Sequence, residues 1–254
     1  MQIKGLLIDI GGVLYVGEKP INGAIETINL LRKTLSLRFL TNTTRKPPKA
    51  VLKKMENMGF SVKEEELFTA LKALRDFIEE KNKKAIAILT DEAMEYLKPL
   101  LTSSKEAKFV VIGDAGENFN YKRLNLAFRA LINKASLIAA AKNRYFKDED
   151  GELSMDAGGF VKALEYAAET EAKILGKPSK DFFEIAVKSM NLKKDEVLMV
   201  GDDIENDIQG ALNAGIKAVL VKSGKFRESD LKRGITPTAV IEDITHLPKI
   251  LNDI

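Results

Sequence analysis

Short apolar runs alternate with amphipathic stretches along the whole sequence. This alternation is typical of strand-helix-strand units on a mainly parallel sheet, and it predicts an α/β fold. One helix is expected to begin at Pro47 or Pro48 and to run to Met58, because proline suits a first helical turn and Gly59 suits a helix end. Strands are predicted at 5–10, 37–41, 85–89, 109–112, 137–140, 173–175, 197–200 and 218–221, and further helices at 121–133 and 160–169.

The composition excludes several kinds of site. The chain has no cysteine, which rules out disulfides, thiolate zinc sites and cysteine nucleophiles, and its single histidine is His246. Its 40 Lys and Arg residues and 37 Asp and Glu residues are interspersed, so no nucleic-acid partner is expected. No apolar run approaches the ~20 residues of a membrane span, and the N-terminus enters a strand too early for a signal peptide. A cytoplasmic protein without membrane contact is therefore expected.

The polar motifs fall in two clusters, one before residue 50 and one after residue 174. About a hundred residues of further α/β pattern separate them, with few convergent polar groups. This arrangement predicts a discontinuous core domain, residues 1–75 and 174–254, with an inserted α/β domain at 76–173.

Asp9 closes the apolar run 6–8 and is followed by Gly11 and Gly12. Ligands bind at the carboxyl ends of the strands in a parallel α/β sheet, and glycines let a phosphate-sized group approach the backbone closely. Asp9 is therefore a candidate nucleophile. The alternative is an ordinary turn-forming aspartate. Gly11 occupies the position at which such a site would require a second carboxylate as proton donor.

Three later segments also follow predicted strands. The hydroxyl and amide groups of Thr41-Asn42-Thr43-Thr44 could bind an anion, although a plain helix cap is the favoured alternative for such a turn. Lys177 could act as a point charge on phosphate, although a lone lysine in a turn is usually solvated. The segment 201–207 contains Asp202, Asp203 and Asp207, which suit Mg²⁺ or, alternatively, a charged helix start.

Taken together, these motifs resemble the four motifs of the haloacid dehalogenase superfamily. They occur in the superfamily's order: 9–15, then 41–42, then Lys177, then 201–207. The resemblance extends to Gly23, to the turn at 158–160 and to 223–227, and it is closest to the NagD-type branch. It implies a Rossmann-like core with a mainly parallel sheet and an inserted α/β cap domain of the C2 type.

The resemblance also implies an activity, namely a Mg²⁺-dependent phosphohydrolase that forms an aspartyl-phosphate on Asp9. Thr41 and Asn42 would hold the phosphoryl group, and Lys177 would neutralise its oxygens and link them to Asp9. Phosphoryl transfer depends mainly on positioning and charge neutralisation, which such groups provide.

The metal ligands implied by the resemblance are Asp9, the backbone carbonyl of Gly11 and Asp202, with Asp203 and Asp207 supporting them. The partner would be a small phosphorylated substrate, and a homodimer through the cap is consistent with this branch. Asp114, Arg144 and Tyr145 lie in the inserted domain, where substrate choice is expected to reside, although structural roles are the favoured alternative for all three.

Gly11 departs from the superfamily pattern, in which a second aspartate protonates the leaving oxygen. Losing a general acid-base group typically costs ~10²- to 10⁴-fold in rate. The expected substrates are therefore those with good leaving groups: phosphoramidates, pyrophosphate, acyl phosphates or aryl phosphates.

Two other functions remain open. A catalytically weak or inactive relative could serve as a phosphate- and Mg²⁺-binding interaction module, for which Gly11 is the main support. A carbon-halogen hydrolase would also use Asp9, but that chemistry has no use for the magnesium-type cluster at 202–207.

Overall fold

The computed structural model describes residues 2–147, 152–251 and 253–254. The chain forms two compact units. The first comprises Met1–Thr41, Leu52–Phe68 and Lys177–Ile254, and the second comprises Asn42–Val51 and Thr69–Gly176. Residues 42–51, 69–75 and 174–176, which the sequence interpretation assigned to the core, thus lie in the second unit. The predicted folding-domain boundaries stay a prediction.

The described residues contain fourteen strands and nine α-helices. The strands are β1 (Gly5–Asp9), β2 (Tyr15–Val16), β3 (Lys19–Pro20), β4 (Ser36–Thr41), β5 (Leu67–Thr69), β6 (Ala85–Ile88), β7 (Phe109–Ile112), β8 (Ser136–Ala139), β9 (Tyr145–Lys147), β10 (Leu153–Met155), β11 (Lys173–Ile174), β12 (Val197–Gly201), β13 (Lys217–Val221) and β14 (Ala239–Ile241). The helices are α1 (Ala24–Leu31), α2 (Pro48–Asn57), α3 (Ala70–Glu80), α4 (Asp91–Leu97), α5 (Tyr121–Ile132), α6 (Ala157–Ala168), α7 (Lys180–Lys188), α8 (Gly210–Asn213) and α9 (Leu247–Ile250).

The larger sheet has the strand order β14-β13-β12-β1-β4-β5. Its central strands β1 and β12 are buried at every residue, as expected for a parallel sheet covered on both faces. β1 pairs in parallel with both β12 and β4, with Ile8 opposite Val200 and Asp9 opposite Leu40. The carboxyl ends of these three strands therefore lie together at one edge of the sheet.

The second unit has its own parallel sheet, in the order β11-β8-β7-β6. Alternate residues of β7 face opposite sides, as the two-residue period of a strand requires. Val110 packs in the core that contains residues of α5 and α6, and Val111 packs in the core that contains residues of α3 and α4.

The α/β class with mainly parallel sheets is confirmed, and all eight predicted strands are present. Helix α6 begins three residues before the predicted residue 160, because the side chain of Asp156 accepts a 2.6 Å hydrogen bond from the Ala157 amide and caps the helix. The other strands, each of two or three residues, are too short for an apolar run to reveal: β2, β3, β5, β9, β10 and β14. No helix in the described part of the chain has both the length and the apolar character needed to cross a membrane.

Candidate active site

Asp9, Asp202 and Asp207 form a buried acidic cluster in the first unit. Each offers one carboxylate oxygen, and these three oxygens all lie within 4.8 Å of one another. Asp9 is the last residue of β1, Asp202 directly follows the neighbouring strand β12, and Asp207 lies in the π-helical turn Ile204–Gln209. The parallel pairing of β1 with β12 thus brings distant carboxylates to one sheet edge.

Lys177 lies against this cluster and is 2% exposed, so it is a buried lysine rather than a solvated one. Its Nζ forms ion pairs with Oδ1 of Asp9 and, at 2.6 Å, with Oδ1 of Asp207. Burial by itself would lower the pKa of Lys177, but the carboxylates of Asp207 and Asp9 outweigh this and raise the pKa above its usual value. Lys177 is therefore an ammonium that bridges the end of β1 and the helical turn that follows β12.

The packed carboxylates disfavour each other's charge. Burial, with contributions from Asp9 and Asp207, raises the pKa of Asp202 to about 8. Burial also raises the pKa of Asp207 to about 6, against the opposing effect of Lys177. A divalent cation would offset this repulsion, and an oxygen-only donor set suits Mg²⁺.

Gly12 and Gly224 allow the Asp202 carboxylate to lie directly against the backbone. A Cβ on either Gly12 or Gly224 would overlap Oδ2 of Asp202, and Gly12 also has a φ of +82°, which favours glycine. The backbone amide of Lys225 donates a 2.8 Å hydrogen bond to the same oxygen. The sequence motifs pointed to 223–227 only as part of the family resemblance. The local sign of this segment in the sequence was that it follows the predicted strand 218–221.

The space around Gly11 is open. Among the described residues, no heavy atom outside Gly11 and its two chain neighbours lies within 4 Å of an ideal Cβ at this position, and the φ of Gly11 lies outside the left-handed region. Gly11 forms a β-bridge with Tyr15, whose pKa is raised to about 12 by burial and, secondarily, by Asp9. Tyr15 is a neighbour of the site that the sequence motifs did not single out.

Asp203 is not part of the three-residue cluster, and its carboxylate has partners of its own. Oδ1 accepts hydrogen bonds from the amides of Glu205 (2.9 Å) and Asn206 (3.0 Å), and Oδ2 is 2.8 Å from Nζ of Lys225. Burial alone would raise the pKa of Asp203, but Lys225 outweighs it, so the pKa falls to about 2. The geometry of Asp203 therefore matches the alternative given for this segment, in which a carboxylate at a helix start accepts hydrogen bonds from backbone amides.

The remaining predicted residues lie in different surroundings. Thr41 is buried at the end of β4, one residue beyond the Asp9-Leu40 pair, whereas Asn42 belongs to the second unit and donates from Nδ2 to Oδ1 of Asn143 at 3.3 Å. Asp114 pairs with Arg45 at 2.5 Å.

The last two candidates, Arg144 and Tyr145, and the single histidine lie in local structural surroundings. The carbonyl of Arg144 accepts a hydrogen bond from the Asp156 amide at 3.1 Å, and Tyr145 begins β9. His246 lies 3.2 Å from Asp243 through Nδ1. His246 does not belong to the only potential metal-binding group found among the described residues.

Comparison with known proteins gives consistent matches along the chain. The family described as haloacid dehalogenase-like hydrolase matches residues 6–116, and the family described as HAD-hydrolase-like matches residues 174–247. Haloacid dehalogenase-like hydrolase domain-containing protein 2 of Bos taurus is 41% identical over 90% of this chain and 87% of that protein. Phospholysine phosphohistidine inorganic pyrophosphate phosphatase of Xenopus laevis is 38% identical over 98% of this chain and 94% of that protein.

Solved structures show the same fold. The p-nitrophenyl phosphatase from Archaeoglobus fulgidus superposes with a TM-score of 0.90 at 25% identity, and the match covers 100% of both chains. NagD from E. coli K-12 superposes with a TM-score of 0.84 at 24% identity, over 96% of this chain and 98% of that chain.

Proposed function

The chain belongs to the haloacid dehalogenase-like hydrolases, and we propose that it is a Mg²⁺-dependent phosphohydrolase that forms an aspartyl-phosphate on Asp9. The observation that carries the proposal is the buried bridge from Lys177 to Asp9 and Asp207, with Asp202 beside it. A nucleophilic carboxylate, an ammonium and a cation-binding acidic group are the parts that phosphoryl transfer requires. Proteins similar to this chain carry phosphatase names, which supports the same reaction class.

The donor set fits magnesium. Asp9, Asp202 and the backbone carbonyl of Gly11 would hold the ion, while Asp207 would orient Lys177 and Asp203 would anchor the following helical turn. When bound, Mg²⁺ would neutralise charge on the transferring phosphoryl oxygens.

Different residues of the chain would perform different steps of the reaction. A carboxylate oxygen of Asp9 attacks phosphorus in line, so that a phosphorus-oxygen bond forms as the bond to the leaving group breaks. Lys177 holds the attacking carboxylate and neutralises the phosphoryl group, which Thr41 and Asn42 bind through hydroxyl and amide groups. Water then hydrolyses the aspartyl-phosphate, which releases inorganic phosphate and restores Asp9.

Gly11 determines the substrate class in this proposal. With no carboxyl side chain at this position, the leaving group must depart with little help from a protein acid. Phosphoramidates, pyrophosphate, acyl phosphates and aryl phosphates meet that condition better than alkyl esters do. Two proteins similar to this chain, a phospholysine phosphohistidine inorganic pyrophosphate phosphatase and a p-nitrophenyl phosphatase, are named for substrates of this kind.

A leaving-group series tests this preference. We expect kcat/KM for p-nitrophenyl phosphate, phospholysine and imidodiphosphate to exceed that for a sugar phosphate by ~10²-fold or more. Nitrophenolate leaves as a stable anion, and the nitrogen of a P–N bond takes its proton from water more readily than an alkyl ester oxygen does. Each rate is measured with Mg²⁺ and again after chelation, and all rates should fall on chelation. Faster hydrolysis of the sugar phosphate would contradict the role given to Gly11.

An interaction module that binds phosphate and Mg²⁺ is the second candidate function, and the open space at Gly11 is the observation that favours it. The buried ion pair of Asp9 with Lys177 supports catalysis instead, because a binding module has no need of a nucleophile. Carbon-halogen hydrolysis is less well supported, because it gives no role to the acidic cluster.

A further inference from the structure

The segment Ser223-Gly224-Lys225 lies outside the predicted catalytic residues. It contacts both the turn after Asp9 and the carboxylate of Asp202. Ser223 Oγ donates a 2.6 Å hydrogen bond to the carbonyl of Gly12, in the turn that follows Asp9. The amide of Lys225 donates at 2.8 Å to Oδ2 of Asp202. Gly224 lies between these contacts, so close that a Cβ would overlap the same oxygen. The segment therefore joins the turn after β1 to the carboxylate after β12.

The side chain of Lys225 adds a second tie. Its Nζ is 2.8 Å from Oδ2 of Asp203, and the two side chains are 29% and 15% exposed. The other oxygen of Asp203 caps the turn that carries Asp207, and the Asp203 amide itself donates to Oδ2 of Asp207 at 3.1 Å. Lys225 is thus connected, through one carboxylate, to a second member of the acidic cluster.

We propose that Lys225 is a positioning residue for the cation, which fixes Asp202 through its amide and the Asp203-Asp207 turn through its ammonium. The inference rests on the proposed function, because it takes the acidic cluster as the cation site. Lys177 already neutralises Asp9 and Asp207 directly, so Lys225 supplies the second ammonium to a region with four aspartates: Asp9, Asp202, Asp203 and Asp207.

Removing this ammonium has two opposite consequences. The loss of positive charge alone would strengthen the attraction of a cation to the aspartates. However, Asp203 would then be a largely buried carboxylate without its charge partner, and it would repel the adjacent Asp202 and Asp207. Residues that hold the ligands of a metal typically contribute 10- to 100-fold to its affinity, so the loss of positioning should dominate.

Direct cation binding tests the proposal without a substrate. Mg²⁺ and Mn²⁺ are titrated into the full chain by calorimetry, for the wild type and for Lys225→Met, Lys225→Arg and Lys222→Met. We expect Lys225→Met to weaken binding by about 10- to 100-fold, and Lys225→Arg, which keeps the ion pair, to remain close to wild type. Lys222→Met is the matched control. Lys222 also follows β13, but its Nζ forms a 3.0 Å ion pair with the exposed Glu242.

Unchanged or tighter binding by Lys225→Met, or an equal loss in Lys222→Met, would overturn the proposal. Near-ultraviolet circular dichroism establishes that each variant is folded. Lys225→Gln, whose amide can still donate to Asp203, takes the place of Lys225→Met if the latter unfolds. If the wild type binds no Mg²⁺, both the proposed function and this inference fail. If it binds Mg²⁺ but hydrolyses no phosphate compound, only the proposed function fails.

Discussion

Replacing Asp9 with asparagine is expected to lower kcat by about 10⁴- to 10⁶-fold, the range seen when a hydrolase loses its nucleophile or a residue that acts with it. The amide cannot form the aspartyl-phosphate, and it no longer gives Lys177 its charge partner on β1. Lys177 keeps its 2.6 Å ion pair with Asp207, so the variant should still fold. The rate is measured with p-nitrophenyl phosphate under saturating Mg²⁺, and folding is followed by thermal unfolding.

Asp195→Asn is the matched control for this variant. Asp195 is exposed and lies in the turn before β12, so the same chemical change there should leave turnover intact. A different result would be no turnover in the wild type, while both the wild type and Asp9→Asn bind Mg²⁺ and phosphate. That result would favour the interaction module over the enzyme as the function of this protein. Equal turnover in wild type and Asp9→Asn would show that another group attacks phosphorus.

The sheet and the strand-end positions of the candidate residues Asp9 and Asp202 could be predicted from the sequence, because they follow from local pattern. The residues Leu6 to Ile8 form an apolar run that is fully buried in β1, and Asp9 had to fall at its end. Short strands such as β14 could not be found this way, since three residues with one buried side chain carry no periodic signal.

The environment of each charged group could not be predicted, because it depends on residues far away in the sequence. Lys177 is compatible with either a solvated turn or a buried bridge until Asp9 and Asp207 are placed beside it. The three aspartates at 202–207 look alike in sequence. Only the structure separates Asp203, which caps a turn and pairs with Lys225, from the two that face Asp9.

Gly11→Asp should raise kcat/KM for alkyl phosphomonoesters such as a sugar phosphate by about 10²- to 10⁴-fold, the usual contribution of a general acid-base group. The position can accept a side chain, because no heavy atom of the described residues, apart from Gly11 and its two chain neighbours, lies within 4 Å of an ideal Cβ, and the backbone conformation suits an L-residue.

The specificity change separates proton donation from a general effect on the site. The ratio of kcat/KM for the sugar phosphate to that for p-nitrophenyl phosphate should rise in Gly11→Asp, since an aryl leaving group gains little from protonation. Gly11→Asn has nearly the same shape without an acidic proton, and it should leave the ratio unchanged. An equal rise in Gly11→Asn would assign the gain to packing, whereas no rise in Gly11→Asp would show that a missing acid does not limit this chain. In the expected outcome, the substrate class is set by the absence of one carboxyl group two residues after the nucleophile.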